Sequence, residues 1–466
     1  MKKTLVALLL LVTMLVNIFA MASCDLINPD KGDGNGEVEG KINIVFYHTM
    51  GENLRTVLNV YIEEFEELFP NIHVIHEQVG SYDDVRDTIS TELTVGAQPN
   101  IAYCYPDHVA LYNVAMAVTV LDDYIDYEGS YTFADGVTID NIGLTQAQKD
   151  DFIKGYYEEG RQFGDGKMYT LPLSKSTEVL YYNKTFFQKE GLSVPTTWEE
   201  MEAVCAVIKE KYPDSTPLGY DSEANWFITM CEQLNTPYTS ATGEHFLYDN
   251  AENREFVRWF RDWFVKGYVT TQDILGGYTS DIFTKQQSYM SIGSSAGAKH
   301  QAPDDGSFEV GIAPIPQADA NNGKVISQGP SLCILASGNS DKDMASWLFM
   351  KFLTTNVGFQ AEFSEASGYV PVIKSVANDP FYQEFLASAD GYDTGIAALS
   401  AQVCLDQESY YYTSPAFNGS STARDQVGAL LQKCFAITGS DDAAINAAIQ
   451  QAFKESVAEC KYQVGN

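Results

Sequence analysis

The segment Gly293–Gly297 contains a serine between glycines in the pattern Gly-x-Ser-x-Gly. In hydrolases this pattern places a nucleophilic serine on a tight turn between a strand and a helix, and an acid and a histidine follow later in the chain. The only histidine after Ser295 is His300, which is too close in sequence to follow an intervening acid. We therefore interpret the pattern as a chance match and assign no catalytic residue.

The sequence also gives little indication of a metal site or of catalysis by carboxylates. The six histidines are scattered, and His73 and His76, three residues apart in a predicted strand, point to opposite faces of it. We therefore expect no metal site and no cofactor. The 63 acidic residues leave one enzyme alternative open, a secreted carbohydrate-active hydrolase with two carboxylates at a defined separation in a cleft.

The chain from residue 41 onwards alternates strands and helices. Apolar residues recur at strand spacing and at helical spacing in turn. The predicted order is strand 41–47, helix 55–69, strand 72–75, helix 81–95 and strand 101–105. This order indicates crossover units and a largely parallel sheet, in which ligands bind beyond the carboxyl ends of the strands. The residues at those positions are His48, Thr49, Pro106 and Asp107.

A connection between two lobes is indicated further along. A predicted strand at 168–173 runs through the polar turn 174–177 into a second apolar strand at 179–182. The helix that follows opens with the capping-box pair Thr197 and Glu200. Polar residues at such a connection line a cleft, and clefts between lobes are where small ligands bind.

The second half of the chain continues the alternation and allows a second lobe. The predicted elements are strands at 310–316 and 323–335, a helix at 341–354 and a closing helix at 441–464. Trp259 and Trp263 lie four residues apart and should pack in a core, and Trp198 at a helix start is structural. A length of 466 residues with 45% apolar content is sufficient for two full lobes.

The N-terminus has the pattern of an export signal. Lys2 and Lys3 precede an apolar run over 5–20, which is short for a membrane span of about 20 residues. The following Met21-Ala-Ser-Cys24 resembles a bacterial lipobox, with Met21 where that motif usually has Leu. We therefore predict a signal peptide over 1–23, a lipidated Cys24 and a flexible, Gly- and Asp-rich tether over 24–40. The alternative is an ordinary secreted protein in which Cys24 has no such role.

Charge and cysteine usage restrict the partners. The formal charge of −34 is spread along the chain, which argues against binding to nucleic acid or to anionic lipid. With Cys24 assigned to lipid, seven of the eight cysteines remain, and none forms a Cys-x-x-Cys pair. The pattern favours buried thiols over a disulfide framework or a zinc site.

Several segments together carry a family resemblance. The segment from Gly166 to Gly191, followed by Val194-Pro-Thr-Thr-Trp-Glu-Glu200, resembles the signature of the extracellular solute-binding proteins of ABC importers. Shorter segments occur in the order and spacing of the carbohydrate and glycerol-3-phosphate branch of that family. These are Phe46-Tyr-His-Thr-Met50, Gly80-Ser-Tyr82, Ser294-Ser295, Gln328-Gly-Pro-Ser331, Ser367-Gly-Tyr-Val-Pro371 and Arg424.

The resemblance implies a two-lobe α/β fold of the periplasmic-binding-protein type (type II), with discontinuous lobes, a hinge and an interlobe cleft. The first lobe would comprise 41–174 plus 316–353, and the second 175–315 plus 354–466. The hinge would lie near Ser174, Ile315 and Leu353.

The resemblance also implies a set of ligand contacts on residues that match the family motifs. They are Tyr82, Asp107, Ser176, Trp226, Ser294, Ser295, Gly329, Tyr369 and Arg424. Chemically the set is coherent for a small polar solute. Tyrosine rings offer flat faces, hydroxyls and a backbone amide can bond oxygens, and the arginine fork can grip a phosphate or carboxylate.

Each of these residues has an alternative role. Tyr369 could pin a lobe junction, Ser294 and Ser295 could cap a helix, and Trp226 could pack in a core. Arg424 could pair with a neighbouring carboxylate such as Asp425.

The function implied is that of a monomeric, lipid-anchored carrier on the outer face of the cytoplasmic membrane. It would close around a sugar, an oligosaccharide or a glycerol-3-phosphate-like solute and deliver it unchanged to the permease subunits of an ABC importer, without catalysis. Whether the solute is anionic or neutral stays open. A surface adhesin or scaffold is a further alternative, which would be expected to lack the signature of the lobe connection.

Overall fold

The computed structural model describes residues 36–465, so the predicted signal peptide, Cys24 and most of the predicted tether lie outside the described residues. The strands, in chain order, are β1 (Ile42–His48), β2 (Ile72–Gln78), β3 (Ile101–Cys104), β4 (Tyr131–Thr132), β5 (Thr138–Ile139), β6 (Leu171–Pro172), β7 (Glu178–Asn183), β8 (Leu218–Tyr220), β9 (Val269–Thr271), β10 (Met290–Ser294), β11 (Val310–Pro314), β12 (Val325–Ile326), β13 (Ser331–Ile334) and β14 (Tyr411–Tyr412).

The helices surround these strands. They are α1 (Glu52–Leu68), α2 (Tyr82–Leu93), α3 (Pro106–Asn113), α4 (Asp122–Ile125), α5 (Gln146–Asp151), α6 (Lys154–Glu159), α7 (Lys184–Glu190), α8 (Trp198–Lys211), α9 (Glu223–Leu234), α10 (Ala251–Val265), α11 (Gln272–Leu275), α12 (Ser280–Phe283), α13 (Ser340–Thr355), α14 (Val357–Ser367), α15 (Pro380–Ala387), α16 (Ile396–Asp406), α17 (Ser420–Phe435) and α18 (Asp442–Gln463). Short 3₁₀ helices span Ser295–Gln301, Lys374–Asn378 and Glu408–Tyr410.

Two five-stranded sheets define two lobes. The first lobe is built on the order β2-β1-β3-β13-β6, in which β1 runs parallel to β2 and β3 while β13 is antiparallel to its neighbours. The second lobe is built on the order β11-β7-β10-β8-β9. The predicted alternation of strands and helices at the start of the chain is therefore present. Its helices α1 and α2 connect parallel strands, as crossover connections require.

Backbone segments that connect the two sheets pair with one another in the middle of the molecule. The first connection leads from β6 to β7, and the second leads from β11 through β12 to β13. They meet where the Ser176 amide donates to the Gln328 carbonyl at 2.9 Å and the reverse bond measures 2.8 Å. A third segment joins them through the bond from the Val370 amide to the Lys175 carbonyl, at 2.6 Å. These paired segments are the natural hinge.

Gly329 is required at this hinge. Its φ is +92°, and a Cβ on it would lie 2.6 Å from the Ser174 carbonyl oxygen. The glycine and the proline after it divide the predicted strand 323–335 into β12 and β13. The second connection thus lies near Gly329 rather than near Ile315.

Helix α14 packs on the first lobe. The rings of Tyr61 in α1 and Phe359 in α14 lie 5.3 Å apart, and the Tyr61 hydroxyl donates to Glu362 at 3.0 Å. The third connection therefore falls after α14, close to Val370, rather than near Leu353. This packing favours assigning 357–367 to the first lobe.

The second-lobe core is rich in tryptophan. Trp198, Trp226 and Trp263 are fully buried there, with the Trp226 ring stacked on Phe260 at 3.9 Å. Seven cysteines of the described residues are buried and none of them is in a disulfide: Cys104, Cys205, Cys231, Cys333, Cys404, Cys434 and Cys460. Within 36–465 no helix combines the length and the apolar content that a membrane span needs.

Candidate functional site

A cavity of about 140 Å³ lies at the hinge, between the ends of helices from both lobes. Its apolar lining comes from Tyr105, Pro106, Ile228, Tyr238, Ile326 and Pro415. Its polar lining comes from Asp107, Glu159, Thr239, Ser327, Gln328, Thr413, Ser414, Ser420 and Arg424. Apolar walls with a few placed polar groups are typical of small-molecule sites.

Arg424, near the start of α17, is held in place by a buried chain of hydrogen bonds. Its Nη2 donates to Asn225 Oδ1, and Asn225 Nδ2 donates to Glu178 Oε1 at 2.8 Å. The other carboxylate oxygen of Glu178 accepts from the Tyr220 hydroxyl at 2.6 Å. Burial raises the pKa of Glu178 to about 7, while these bonds and the charge of Arg424 oppose the rise.

Asp107 faces this arginine from the other lobe. It lies in the first turn of α3 and lines the cavity. Its Oδ2 accepts from the hydroxyl of Ser421, in the first turn of α17, at 2.7 Å. This bond joins the two lobes directly beside the cavity, so the conformation described is one in which the lobes meet across it.

A buried ion pair forms part of the cavity wall. Glu159, the last residue of α6, lines the cavity and accepts from the Lys175 ammonium. Lys175 also donates to the Gly329 carbonyl and to Ser331 Oγ, both at 3.1 Å. The side chains are 0% and 6% exposed for the lysine and the glutamate. Lys175 therefore ties both connections to the first lobe.

Tyr82 belongs to a stack of tyrosines on the first-lobe side. Its ring lies 4.4 Å from that of Tyr105 and 5.4 Å from that of Tyr103. Tyr105 lines the cavity, so Tyr82 stands one ring behind it. Tyr369 completes the group through a hydrogen bond between its side chain and that of Tyr82. Burial raises the pKa of both tyrosines.

The predicted serines and glycine have backbone roles. Ser176 pairs with Gln328 at the hinge as described above, and Gly329 follows Gln328 there with its positive φ. Ser294 caps the 3₁₀ helix, with its hydroxyl accepting from the Ala296 amide at 3.3 Å. Ser295 is fully buried, and its hydroxyl accepts from the Thr177 amide at 3.1 Å. Because Ser295 is not exposed on a turn, this geometry differs from a hydrolase nucleophile elbow.

Trp226 does not line the cavity. Its ring is 0% exposed and stacks between Tyr220, at 4.9 Å, and Phe260. This position does not support the predicted contact between Trp226 and a ligand. The residue of α9 that lines the cavity is Ile228. Every residue from Trp226 to Cys231 is buried, so periodicity could not show which face of α9 meets the cavity.

Of the predicted residues, the cavity lining therefore includes Asp107 and Arg424 directly, and Tyr82 is adjacent. Sequence reasoning missed Tyr105 and Glu159. Tyr105 ends the predicted strand 101–105, so the rule that ligands bind beyond strand ends could have found it. Glu159 carried no such signal, because only the packing of α6 against the hinge brings it to the cavity.

His48, which was predicted to follow the first strand, is the last residue of β1 and lies in a buried chain of hydrogen bonds instead of the cavity. The Met50 amide donates to its Nδ1 at 3.1 Å, so its proton is on Nε2. That nitrogen lies 2.9 Å from His76 Nδ1, and His76 Nε2 lies 2.8 Å from Asn59 Oδ1. Burial lowers the pKa of His48 to about 3, with His76 and Arg55 adding to the effect.

The sequence profile of the bacterial extracellular solute-binding proteins matches residues 60–387, well over half of the chain. The chain belongs to this family. The predicted family is thereby confirmed, and so is the two-lobe fold, since a solved structure of UgpB from Mycobacterium tuberculosis in complex with glycerophosphocholine superposes with a TM-score of 0.69. That likeness covers 90% of this chain and 99% of the other, at 19% identity.

Two solute-binding relatives indicate the range of the family. The multiple sugar-binding protein of Streptococcus mutans is 23% identical over 386 residues, which cover 78% of this chain and 83% of the relative. The sn-glycerol-3-phosphate-binding periplasmic protein UgpB of Escherichia coli K12 is 22% identical over 378 residues, covering 77% and 81%. Both are binding proteins, so the comparisons do not support the hydrolase alternative.

Proposed function

We propose that this solute-binding protein captures a sugar, an oligosaccharide or a glycerol-3-phosphate-like solute in the hinge cavity and delivers it to the permease of an ABC importer. The observation that carries the proposal is the cavity itself, which takes Asp107 from one lobe and Arg424 from the other. A solute that contacts both residues has to bridge the lobes.

Closure follows from that geometry. A solute that binds only one lobe has equal affinity for open and closed forms and shifts nothing, whereas one that contacts both lobes favours the closed form. The Asp107–Ser421 bond forms in the same step. The permease would then recognise the closed pair of lobes, and the solute would leave chemically unchanged.

Calorimetry on the mature chain, starting after Cys24, tests this proposal. The panel contains glucose, maltose, maltotriose, raffinose, sn-glycerol-3-phosphate and glycerophosphocholine. We expect saturable binding of one solute per chain with no product on prolonged incubation. A ligand at about 100 times its Kd should stabilise the fold by roughly 2.7 kcal/mol. Product formation would favour a hydrolase instead, and no binding across the panel would contradict the proposal.

The proposal includes export, lipid attachment at Cys24 and a monomeric state. The sequence pattern around Cys24 supports the anchor, and membership of an extracellular family supports export. In cells that express the full chain, we expect the protein in the detergent phase of a phase partition. Cys24→Ala should move it to the aqueous phase, where sizing should give one chain per particle. An unchanged distribution would contradict lipidation at this residue.

A further inference from the structure

Three hydroxyl groups of the cavity lining have no hydrogen-bond partner among the described residues. They belong to Thr239, Ser327 and Ser414. Each oxygen is shielded from solvent, and the Ser327 residue is 8% exposed. A shielded hydroxyl without a partner costs free energy, so three of them around one cavity need an explanation.

The backbone places two of the residues that carry these hydroxyls close to each other. Strand β12 pairs with β14, and the Ser327 amide donates to the Tyr412 carbonyl at 2.8 Å. Ser327 and Ser414 thus follow paired strands and reach the cavity together. Thr239 comes from a separate segment, which is itself paired to Phe246. The three residues that carry the unpartnered hydroxyls therefore line the cavity from three separate positions of the backbone.

Another hydroxyl of the same lining provides a contrast. Ser420 Oγ donates to the Phe417 carbonyl at 2.6 Å and accepts from the Phe417 amide at 2.7 Å. Its hydrogen-bonding capacity is used within its own turn. The three unpartnered hydroxyls are thus a subset of the lining and not a general property of it.

The charges of the lining are close to balance. Arg424 supplies one positive charge and Asp107 one negative charge, and Glu159 is paired with Lys175. A phosphate monoester carries about −1.5 to −2 charges at neutral pH. It would meet one arginine, already bonded to Asn225, and a facing carboxylate. A sugar hydroxyl both donates and accepts, so it can satisfy serine, threonine and carboxylate partners without added charge.

We propose that Thr239, Ser327 and Ser414 determine specificity by bonding the hydroxyls of a neutral, polyhydroxylated solute, in preference to a phosphate monoester. The proposal rests on the proposed function and deepens it. It assigns hydrogen-bonding work to hydroxyls that the fold itself does not use.

The test substitutes each hydroxyl and compares neutral with anionic probes. The variants are Thr239→Val, Ser327→Ala and Ser414→Ala, and the probes are glucose, maltose, maltotriose and raffinose against sn-glycerol-3-phosphate. Each substitution should weaken binding of the best neutral probe about fivefold, since a hydrogen bond of about 1 kcal/mol corresponds to roughly that factor. The melting temperature of the unliganded variant should stay equal or rise, because an unsatisfied group has been removed.

Ser364→Ala is the matched control. Ser364 is a buried serine in α14 whose hydroxyl likewise has no partner among residues 36–465, but it does not line the cavity. It should show the same melting behaviour with no change in affinity. Deoxy analogues of the best neutral probe provide a second measurement on the unmutated protein, in which loss of single hydroxyls should weaken binding by a similar factor.

The outcomes separate this proposal from the proposed function. Tighter binding of sn-glycerol-3-phosphate than of every neutral probe would overturn the specificity proposal and leave the carrier function intact. Unchanged affinities of all three variants, together with unchanged affinities for the deoxy analogues, would also overturn the specificity proposal and leave the carrier function intact. Absence of binding by any probe would contradict the carrier function itself. A loss of affinity confined to the three variants, with the control unaffected, supports the proposal.

Discussion

The two walls of the cavity are built differently. On the second-lobe side, the arginine wall consists of Arg424, Asn225, Glu178 and Tyr220, each held by a directional hydrogen bond to the next. On the first-lobe side, the tyrosine wall consists of Tyr82, Tyr103, Tyr105 and Tyr369, in which the Tyr82 ring stacks on the rings of Tyr103 and Tyr105.

The difference assigns different tasks to the lobes. A hydrogen-bonded wall fixes the direction in which a solute atom must approach, because its donors are already oriented before binding. A wall of stacked rings accepts a flat apolar face in several orientations. We infer that the second lobe selects the solute and that the first lobe covers it. The predictions below test that division.

The largest effect is expected at the hinge, at the buried ion pair of Lys175 and Glu159. Lys175→Met leaves a buried carboxylate without its partner and should lower the free energy of unfolding by about 3 to 5 kcal/mol. Urea unfolding measures this loss. The control is Lys184→Met, which breaks the partly exposed pair with Glu309 and should cost at most about 1 kcal/mol. Equal losses of unfolding free energy in both variants would show that the buried ion pair stabilises the fold no more than the partly exposed one.

The arginine wall should give the protein a pH dependence through Glu178. Its folded-state pKa of about 7 lies above the ordinary value of 4.5. The group therefore contributes stability that is fully present below about pH 4.5 and is lost as the pH rises through about 7. The loss amounts to about 3 kcal/mol at most.

Glu178→Gln should remove that slope, since the amide keeps a carbonyl for Asn225 and can donate to Tyr220. The free energies of unfolding of the unmutated protein and of Glu178→Gln are measured between about pH 5 and 8. The contributions of other titrating groups cancel in the difference between the two. His48 is one such group. Its lowered pKa makes the protein lose stability as the pH falls below about 6.5. Parallel profiles for the two proteins would contradict the raised pKa of Glu178.

Removing the side chain that orients Arg424 should weaken binding more than removing a hydroxyl from the tyrosine wall. Asn225→Ala removes the partner that orients Arg424, and bonds to charged groups are worth about 1.5 to 3 kcal/mol, or roughly 10- to 150-fold in Kd. Tyr82→Phe keeps the ring stack and should change Kd by less than about fivefold. Calorimetry with the best probe of the panel measures both. A larger effect in Tyr82→Phe would reverse the division of tasks.

The smallest effect is expected at the bond between Ser421 and Asp107, which joins the two lobes beside the cavity. Ser421→Ala removes the donor to Asp107 and should raise Kd about two- to fivefold, because this bond is only partly buried and stabilises the closed form by about 0.5 to 1 kcal/mol. Thr422→Ala, in the same helix turn, is the control, since Thr422 makes no hydrogen bond across the cavity among the described residues. Small-angle scattering should show a larger radius for the unliganded Ser421→Ala protein. An unchanged radius and Kd would mean that this bond does not contribute to closure.

Much of the fold was predictable because local patterns decide it. The alternation from β1 to β3 follows from apolar spacing, and the helix α8 begins where Thr197 caps the Glu200 amide, at 3.2 Å. The reciprocal bond differs from the predicted capping box, because the Glu200 carboxylate accepts from Thr196 instead.

The site was predictable only in part. Asp107 and Arg424 were found through motifs. Glu159 and Lys175 were missed because a buried ion pair is decided by packing between distant segments, and Lys175 in a polar turn reads as an exposed residue. Ser327 was missed for a related reason: a strand pattern shows which residues are apolar but not which hydroxyl is left without a partner.

The buried cysteines make opening of each lobe measurable. The thiolate is the form of cysteine that attacks alkylating reagents, and burial raises the pKa of Cys404 and Cys460 to about 11 and that of Cys434 to about 12. At neutral pH, a thiol in such a setting reacts only after the surrounding structure has opened. Cys104 and Cys333 lie in strands β3 and β13 of the first sheet, whereas Cys205, Cys231, Cys434 and Cys460 lie in the second-lobe core. The order in which these cysteines are alkylated would therefore reveal which lobe opens first, without any added dye or engineered tag.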